Sequence, residues 1–409
     1  METETYRNLE LMWLLGDLHP DHWTINEYRK NNKEQIRFVT IEFRRFLKAE
    51  GYIDGKEVAT DGSKFKAYAA KDMLSLKNIE KRLEKINEKL DEYLEEFKTA
   101  DTIDGLIEEF ADNFEGVEIN KVLVGKIADL QEYVSKLESQ KKQLEDSGKN
   151  YLAPNDPDAN LMKSRDGKIP AYNGQTVVDK KNRMIAVAEI STAHSDINEL
   201  KKNLDDLKEQ LDIVPDKVDA DKGYSNLKEI KEIEENTSTK CFVPSVKNSK
   251  KEEDKKAGIK FTYDKEKDEY QCSQGKTLKQ KNKKSGNNSY NIYRCEDCGE
   301  CPLKAKCTKS KTGRMIKRNV DQNWIDKYKA RMLEPNSKER IKKRKTIVEH
   351  PFGTLKWMMG KFHFLLTGKE KVQIELDLYA TAYNFKRLIN IDNMGLLLQK
   401  AENHSWERA

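Results

Sequence analysis

No run of eighteen apolar residues occurs anywhere in the 409 positions of this chain, which excludes a hydrophobic helix long enough to cross a bilayer. The opening METETYRNLE lacks the charged-then-apolar pattern of a secretory signal. A soluble, intracellular protein is therefore expected. Cysteine is scarce as well. All six (Cys241, Cys272, Cys295, Cys298, Cys301, Cys307) fall between positions 241 and 307, which in a reducing compartment points to metal binding rather than to disulfides. Apolar residues make up only 36% of the chain, no more than the charged ones. With a mean hydropathy of −0.89, much of the surface must be helical, solvated and extended.

What is present is length and lysine. The chain is long enough for two or three domains with a real core. Its formal net charge of +5 hides an asymmetry, because residues 247–345 repeat basic blocks: VKNSKKEEDKK, KTLKQKNKK, KSKTGRMIKR and KERIKKRK. A single block is usually a solvated face, whereas four in one segment favour an acidic partner such as nucleic acid.

Residues 7–48 are predicted to form short helices, ended at Gly51. They suit a small helical core or a helix-turn-helix contact to DNA. A strand is expected over residues 57–66. Two long charged helices follow, with apolar seams at Ile79, Leu83, Ile86, Leu90 and Phe97 and at Ile127, Leu130, Val134, Leu137 and Leu144. Heptad spacing of this kind predicts an antiparallel helical hairpin. Residues 172–178 and 184–191 then form a β-hairpin about the turn DKKNR, and a helix capped by Ser195 or Asp196 runs to Leu211. A short strand with the Asp-rich tip VDADKGY comes next.

Strand, helical insertion, hairpin, helix, strand and a late helix bearing a glutamate form the element order of an α/β fold with a ribonuclease-H-like catalytic core. The expected divisions are an N-terminal helical segment (1–52), the first core strand (53–72), the helical-hairpin insertion (73–150), the continued core (151–240), a basic cysteine-rich insertion (241–335) and closing helices (336–409).

Three carboxylates fall at element ends in this order: Asp61, Asp221 and Glu349. Glu349 stands in the basic amphipathic run KTIVEHPFGTLKW, where it either pairs with a lysine on a surface helix or holds a cation beside a polyanion. Oxygen-only ligands suit Mg2+ or Mn2+, and two such ions about 4 Å apart can activate a nucleophile and stabilise a leaving oxygen. Asp219 and Asp179 compete within their blocks. Asp221 is preferred because it directly precedes KGY, and Asp179 suits the hairpin turn. His350 is expected to be packed or solvated, since two-metal chemistry needs no general base.

The blocks VATDGSKFKAYA, YNGQTVVDKKNRMIAV, VDADKGYSN and KKRKTIVEHPFGTLKW, in this order, resemble bacterial insertion-sequence transposases of the DDE class, in the branch with a cysteine cluster between the second aspartate and the glutamate. YRCEDCGECPLKAKCT is similar to that cluster, and LMWLLGDLHPDHWTINEYRK to the helical segment before the first acid. The resemblance implies a catalytic and metal-binding triad of Asp61, Asp221 and Glu349. It also implies divalent-metal-dependent cleavage and strand transfer on double-stranded DNA, at transposon ends and target, by a homo-oligomer, with a dimer expected, in the bacterial cytoplasm at the nucleoid. DNA contacts are implied at Lys345, four positions before Glu349, with Arg344 beside it, and at Lys356, seven after. Lys342 stands where a tyrosine is expected. Family members begin with a further helical region, so a truncated or domesticated DNA-binding derivative without catalysis is the alternative.

CEDCGECPLKAKC places Cys295, Cys298, Cys301 and Cys307 in one short loop. C-x2-C spacing lets a tight turn present two thiolates to one ion, which favours structural Zn2+, with Cys272 as a replacement ligand. An iron–sulfur site and free thiols are the other readings. An ion there would organise a segment with little hydrophobic content of its own.

Overall fold

The computed structural model describes residues 2–69, 73–107, 115–164, 167–245, 254, 258–285, 290–295, 297–360 and 363–407, without the side chains of 97–123 and 282–285. The side chain of Phe97 in the expected seam and most of the block VKNSKKEEDKK thus lie outside what is described. The chain divides into two compact units, Met1–Val214 with Ile347–Ala409, and Pro215–Thr346.

In the first unit the N-terminal residues form α1 (Glu2–Thr5), α2 (Leu9–Leu14), α3 (His22–Asn31) and α4 (Lys33–Ala49). Asn8 caps α2 by accepting from the amides of Glu10 and Leu11, and Asp21 caps α3 by accepting from Thr24. Gly51, at φ +73°, takes the left-handed turn just past α4. Strand β1 (Glu57–Lys66) lies antiparallel to β3 (Gly167–Asp179), with Asp61 opposite Thr176. On its other edge β3 pairs with β2 (Asn160–Ser164) and β4 (Ile185–Ser191). As expected for the hairpin turn, Asp179 accepts from the amides of Lys181 and Asn182, and also from Gly55.

The alternation of β1 gives it two unlike faces. Ala59 and Phe65 are buried with Val348, Phe352 and Leu355 of α11 (Pro335–Met358) and with Val372 and Leu376 of α12 (Lys369–Ile391). Thr60 and Gly62 point the other way, toward α7 (Leu200–Leu211) and the loop before it. Helix α7 begins three or four residues later than its sequence suggests. Asp196 is not its cap, because Oδ1 of Asp196 already accepts from Asn173 (2.6 Å) and Gln175 (2.7 Å). Arg44 of α4 is buried and pairs with Asp377 of α12 at 3.0 Å, which Arg37 also reaches at 2.9 Å.

The helical hairpin is present as α5 (Leu76–Ile107) and α6 (Glu115–Ser147). Ile79, Ile86, Leu137 and Leu144 are buried in its seam, with Leu83, Leu90, Leu130 and Val134 against them. At its root Leu74 and Leu152 exchange both backbone hydrogen bonds at 2.8 Å.

In the second unit, β5 (Lys217–Asp219), α8 (Leu227–Asn236) and β6 (Lys240–Phe242) form a βαβ unit with parallel strands. The basic segment then folds into a five-stranded antiparallel sheet: β7 (Phe261–Asp264), β8 (Glu269–Cys272), β9 (Thr277–Ser285), β10 (Tyr290–Arg294) and β11 (Met315–Asn319). Sequence patterning does not reveal it, because lysine, glutamine and asparagine fill β9. Its small core is Leu278, Tyr293 and Cys295, packed by Phe261, Tyr263 and Tyr270. Helices α9 (Lys304–Cys307) and α10 (Gln322–Leu333) complete this unit, and α13 (Met394–Asn403) closes the first. Among the described residues no helix is long and apolar enough to cross a membrane.

Candidate active site and cysteine pocket

Asp61 sits in the middle of β1, half-buried. Its Oδ1 accepts from the amide of Gly62 at 3.0 Å. By alternation its side chain leaves the strand on the face of Ala59, Ser63 and Phe65, the face that packs on α11. That packing is direct: Phe65 and Phe352 rings lie 6.0 Å apart, and Lys356 Nζ donates to Ser63 Oγ at 2.7 Å. Lys356 is two helical turns beyond Glu349, and Ser63 is two residues beyond Asp61, so both acids stand on the paired surfaces of β1 and α11.

Glu349 is exposed, and so are Lys338, Lys342 and Lys345. Their spacing of four, three and four residues places the three lysines on one stripe of α11 that leads to the carboxylate. Arg344, by contrast, is only 6% exposed, so a phosphate contact from it requires the side chain to move. His350 is exposed, with its Nδ1 3.2 Å from the Tyr383 hydroxyl. Partial burial of the ring, then the nearby Arg387 and Arg183, hold its pKa below the usual histidine value.

Asp221 belongs to the second unit. It is not part of the strand, which ends at Asp219. Instead it caps a single 3-10 turn (Lys222–Tyr224), its Oδ1 accepting from the amide of Gly223 at 2.6 Å. The two aspartates of VDAD therefore do different things. Asp219 is fully buried and pairs with Arg340 at 3.1 Å, the guanidinium lying over the Phe242 ring. That partner, 121 residues away, could not be seen from local sequence.

Sequence reasoning also missed the polar network behind Asp61. Asn203 of α7 donates to Thr60 Oγ1 (2.8 Å) and to Gln175 Oε1 (2.9 Å), and Gln175 in turn donates to Asp196. Gly62 is required here. A Cβ at this position would fall inside contact distance of Asp196, Gln175 and Asn173. The Asn and Gln of YNGQ, two residues apart on β3 and so on one face, were the available signal.

In the second unit Cys272, Cys295, Cys298, Cys301 and Cys307 line one cavity of about 30 Å³, together with Phe261, Leu278 and the cationic Lys276, Lys304 and Arg314. All five thiols are free. Burial, then a hydrogen bond with the Cys298 thiol, raises the pKa of Cys295 to about 12. Among the described residues no three His, Cys, Asp or Glu side chains are gathered closely enough to hold a metal ion, so the thiols share a wall without converging.

Residues 271–389 match a family model described as a transposase DDE domain. The match covers less than a third of the chain. It includes Glu349, Lys345, Lys356 and the five pocket cysteines, and stops short of Asp61 and Asp221. It supports a DDE transposase, hence DNA cleavage and transfer as the general class of activity. No curated protein matches the chain, and no solved structure does.

Proposed function

We propose that this chain is a DDE transposase that cuts DNA at insertion-sequence ends and joins the strands to a target, in a divalent-metal-dependent reaction carried by Asp61, Asp221 and Glu349 on a ribonuclease-H-like core. One observation carries the reading: within a segment matching a transposase DDE domain, Glu349 stands at the head of a lysine stripe, on the helix that packs against the strand of Asp61. A cation held by this carboxylate would stand beside the phosphates that the lysines attract.

The donor chemistry fits Mg2+ or Mn2+, because the three acids offer oxygen only. When bound, such ions activate the attacking oxygen and stabilise the leaving one. The chain's own contribution is positioning. Packing of Phe65 on Phe352 holds the two surfaces in register. Lys338, Lys342 and Lys345 neutralise phosphates approaching Glu349, with affinity that falls steeply as salt rises. Lys356 shares that face, and leaving Ser63 frees it for a phosphate oxygen. The partner is double-stranded DNA and the working form a dimer in the bacterial cytoplasm. A structural Zn2+ is assigned to Cys295, Cys298, Cys301 and Cys307, whose soft donors suit it.

The test is nicking and joining of DNA carrying candidate ends, with Mg2+ or Mn2+. Wild-type protein is expected to yield both products. Asp61→Asn, Asp221→Asn and Glu349→Gln should each reduce them to the no-protein level while DNA binding persists. Metal-independent binding by the wild type with no cleavage under any condition would sink the catalytic reading and leave a DNA-binding derivative.

A further inference from the structure

We propose that Cys272 is a ligand of the cysteine-pocket ion, acting with Cys295 and Cys298, and that the fourth position is filled from the pair Cys301 and Cys307. This rests on the Zn2+ assignment above and changes its ligand set. Cys272 comes from outside the cysteine loop, 23 residues before Cys295. It ends β8, where a tight turn closes with Gly275 N donating to Cys272 O (2.9 Å) and Cys272 N donating to Lys276 O (2.9 Å). That turn points its thiol at the same wall as the others. Cys272 and Cys298 both pack on the buried Cys295, whereas Cys301 and Cys307 line the cavity outside that cluster.

Three further observations make this a built pocket. Its volume of about 30 Å³ is enough for one water or one ion. The loop opposite is pressed against it: Gly313, at φ +92°, sits where a Cβ would collide with the Cys295 carbonyl and touch Cys298. Finally, charge is matched. Four thiols binding Zn2+ release four protons to solvent and leave two net negative charges, and Lys276, Lys304 and Arg314 stand in the wall to offset them. Arg314 is itself held by Asp254 and by the Cys307 carbonyl at 2.7 Å. Because the thiols do not converge to bonding distance as they stand, the ion must draw them in.

The consequence is structural. An ion held by the cysteine loop alone would order only that loop. With Cys272 included, it fastens the β8–β9 turn to the loop after β10, closing a sheet whose core, among the described residues, holds three buried side chains.

The experiment uses the full-length protein, zinc content by elemental analysis, a chelator competition for affinity, and Co2+ as a spectroscopic substitute. Wild type is expected to hold one Zn2+ per chain. Cys272→Ser should weaken binding by more than about 100-fold, beyond the loss typical of an outer-shell partner, and remove about a quarter of the Co2+ thiolate charge-transfer intensity, one ligand in four. Cys272→His, which can still ligate, should restore most of the affinity but not the lost intensity, which separates ligation from misfolding. Wild-type affinity and an unchanged Co2+ spectrum in Cys272→Ser would overturn the inference and leave the four-cysteine site standing. A wild-type protein that takes up neither Zn2+ nor Co2+ would overturn both.

Discussion

The two faces of β1 are made of opposite materials. One is hydrocarbon and aromatic, where Ala59 and Phe65 meet Val348, Phe352 and Leu355. The other is amide, hydroxyl and carboxylate, where Thr60, Gln175, Asn203 and Asp196 satisfy one another. Packing on the first depends on volume and tolerates exchange of similar shapes. The second depends on every partner being present, since a buried polar group that loses its partner bears its full desolvation cost. Asp61 projects on the tolerant side while its backbone is held from the exacting one.

Mutations can break this contrast in graded steps. The largest loss is expected from Phe352→Ala, about 3–5 kcal/mol in chemical denaturation, because an aromatic side chain 7% exposed leaves a cavity between α11 and β1. Gln175→Leu keeps the volume but strips the acceptor from Asn203 and a donor from Asp196. A loss of about 1–3 kcal/mol is expected, and a smaller effect than that of Leu355→Met would show that the network is not exacting after all. Leu355→Met, on the apolar face, should cost less than about 1.5 kcal/mol.

The smallest effect is a gain. Asp206 on α7 is pushed up to about 6 by burial, and next by the charge of Glu189. Its folded pKa lies above the unfolded value near 3.8. Stability from this group is therefore unaffected below about pH 4, falls as pH rises from about 4 to 6, and stays lowered above that. Asp206→Asn should flatten this part of a stability–pH profile and add about 1 kcal/mol at pH 7, discounted for its partial exposure. A profile unchanged by the substitution would place the titration elsewhere.

Sequence patterning reveals one of these faces and not the other. The strand at 57–66, the β-hairpin, the helical hairpin and the short N-terminal helices all follow from local rules: alternation, heptad seams, caps and a left-handed glycine. Asp196 passes for a helix cap because Ser and Asp before a helical run usually are caps. Only the folded sheet brings Asn173 and Gln175 to claim it. Likewise Asp219 and Asp221 look interchangeable in VDAD until Arg340 buries one of them. Strand β9 escapes notice because its lysine, asparagine and glutamine are poor strand formers, and the tyrosines and thiols that hold its short neighbours meet only across the sheet. Glu349 and the cysteine loop were legible because their chemistry is dense within a few residues.

Leu74 and Leu152, at the root of the helical hairpin, are directly bonded neighbours, so this arm of the first unit joins the strands at its base through a stem one residue pair wide. The described seam of this arm packs on itself, Ile79 and Ile86 against Leu137 and Leu144. Trimming both helices by matched whole heptads, or exchanging the arm for a short β-turn, should leave the fold at its base intact, so the arm's length is free to be set by whatever it reaches.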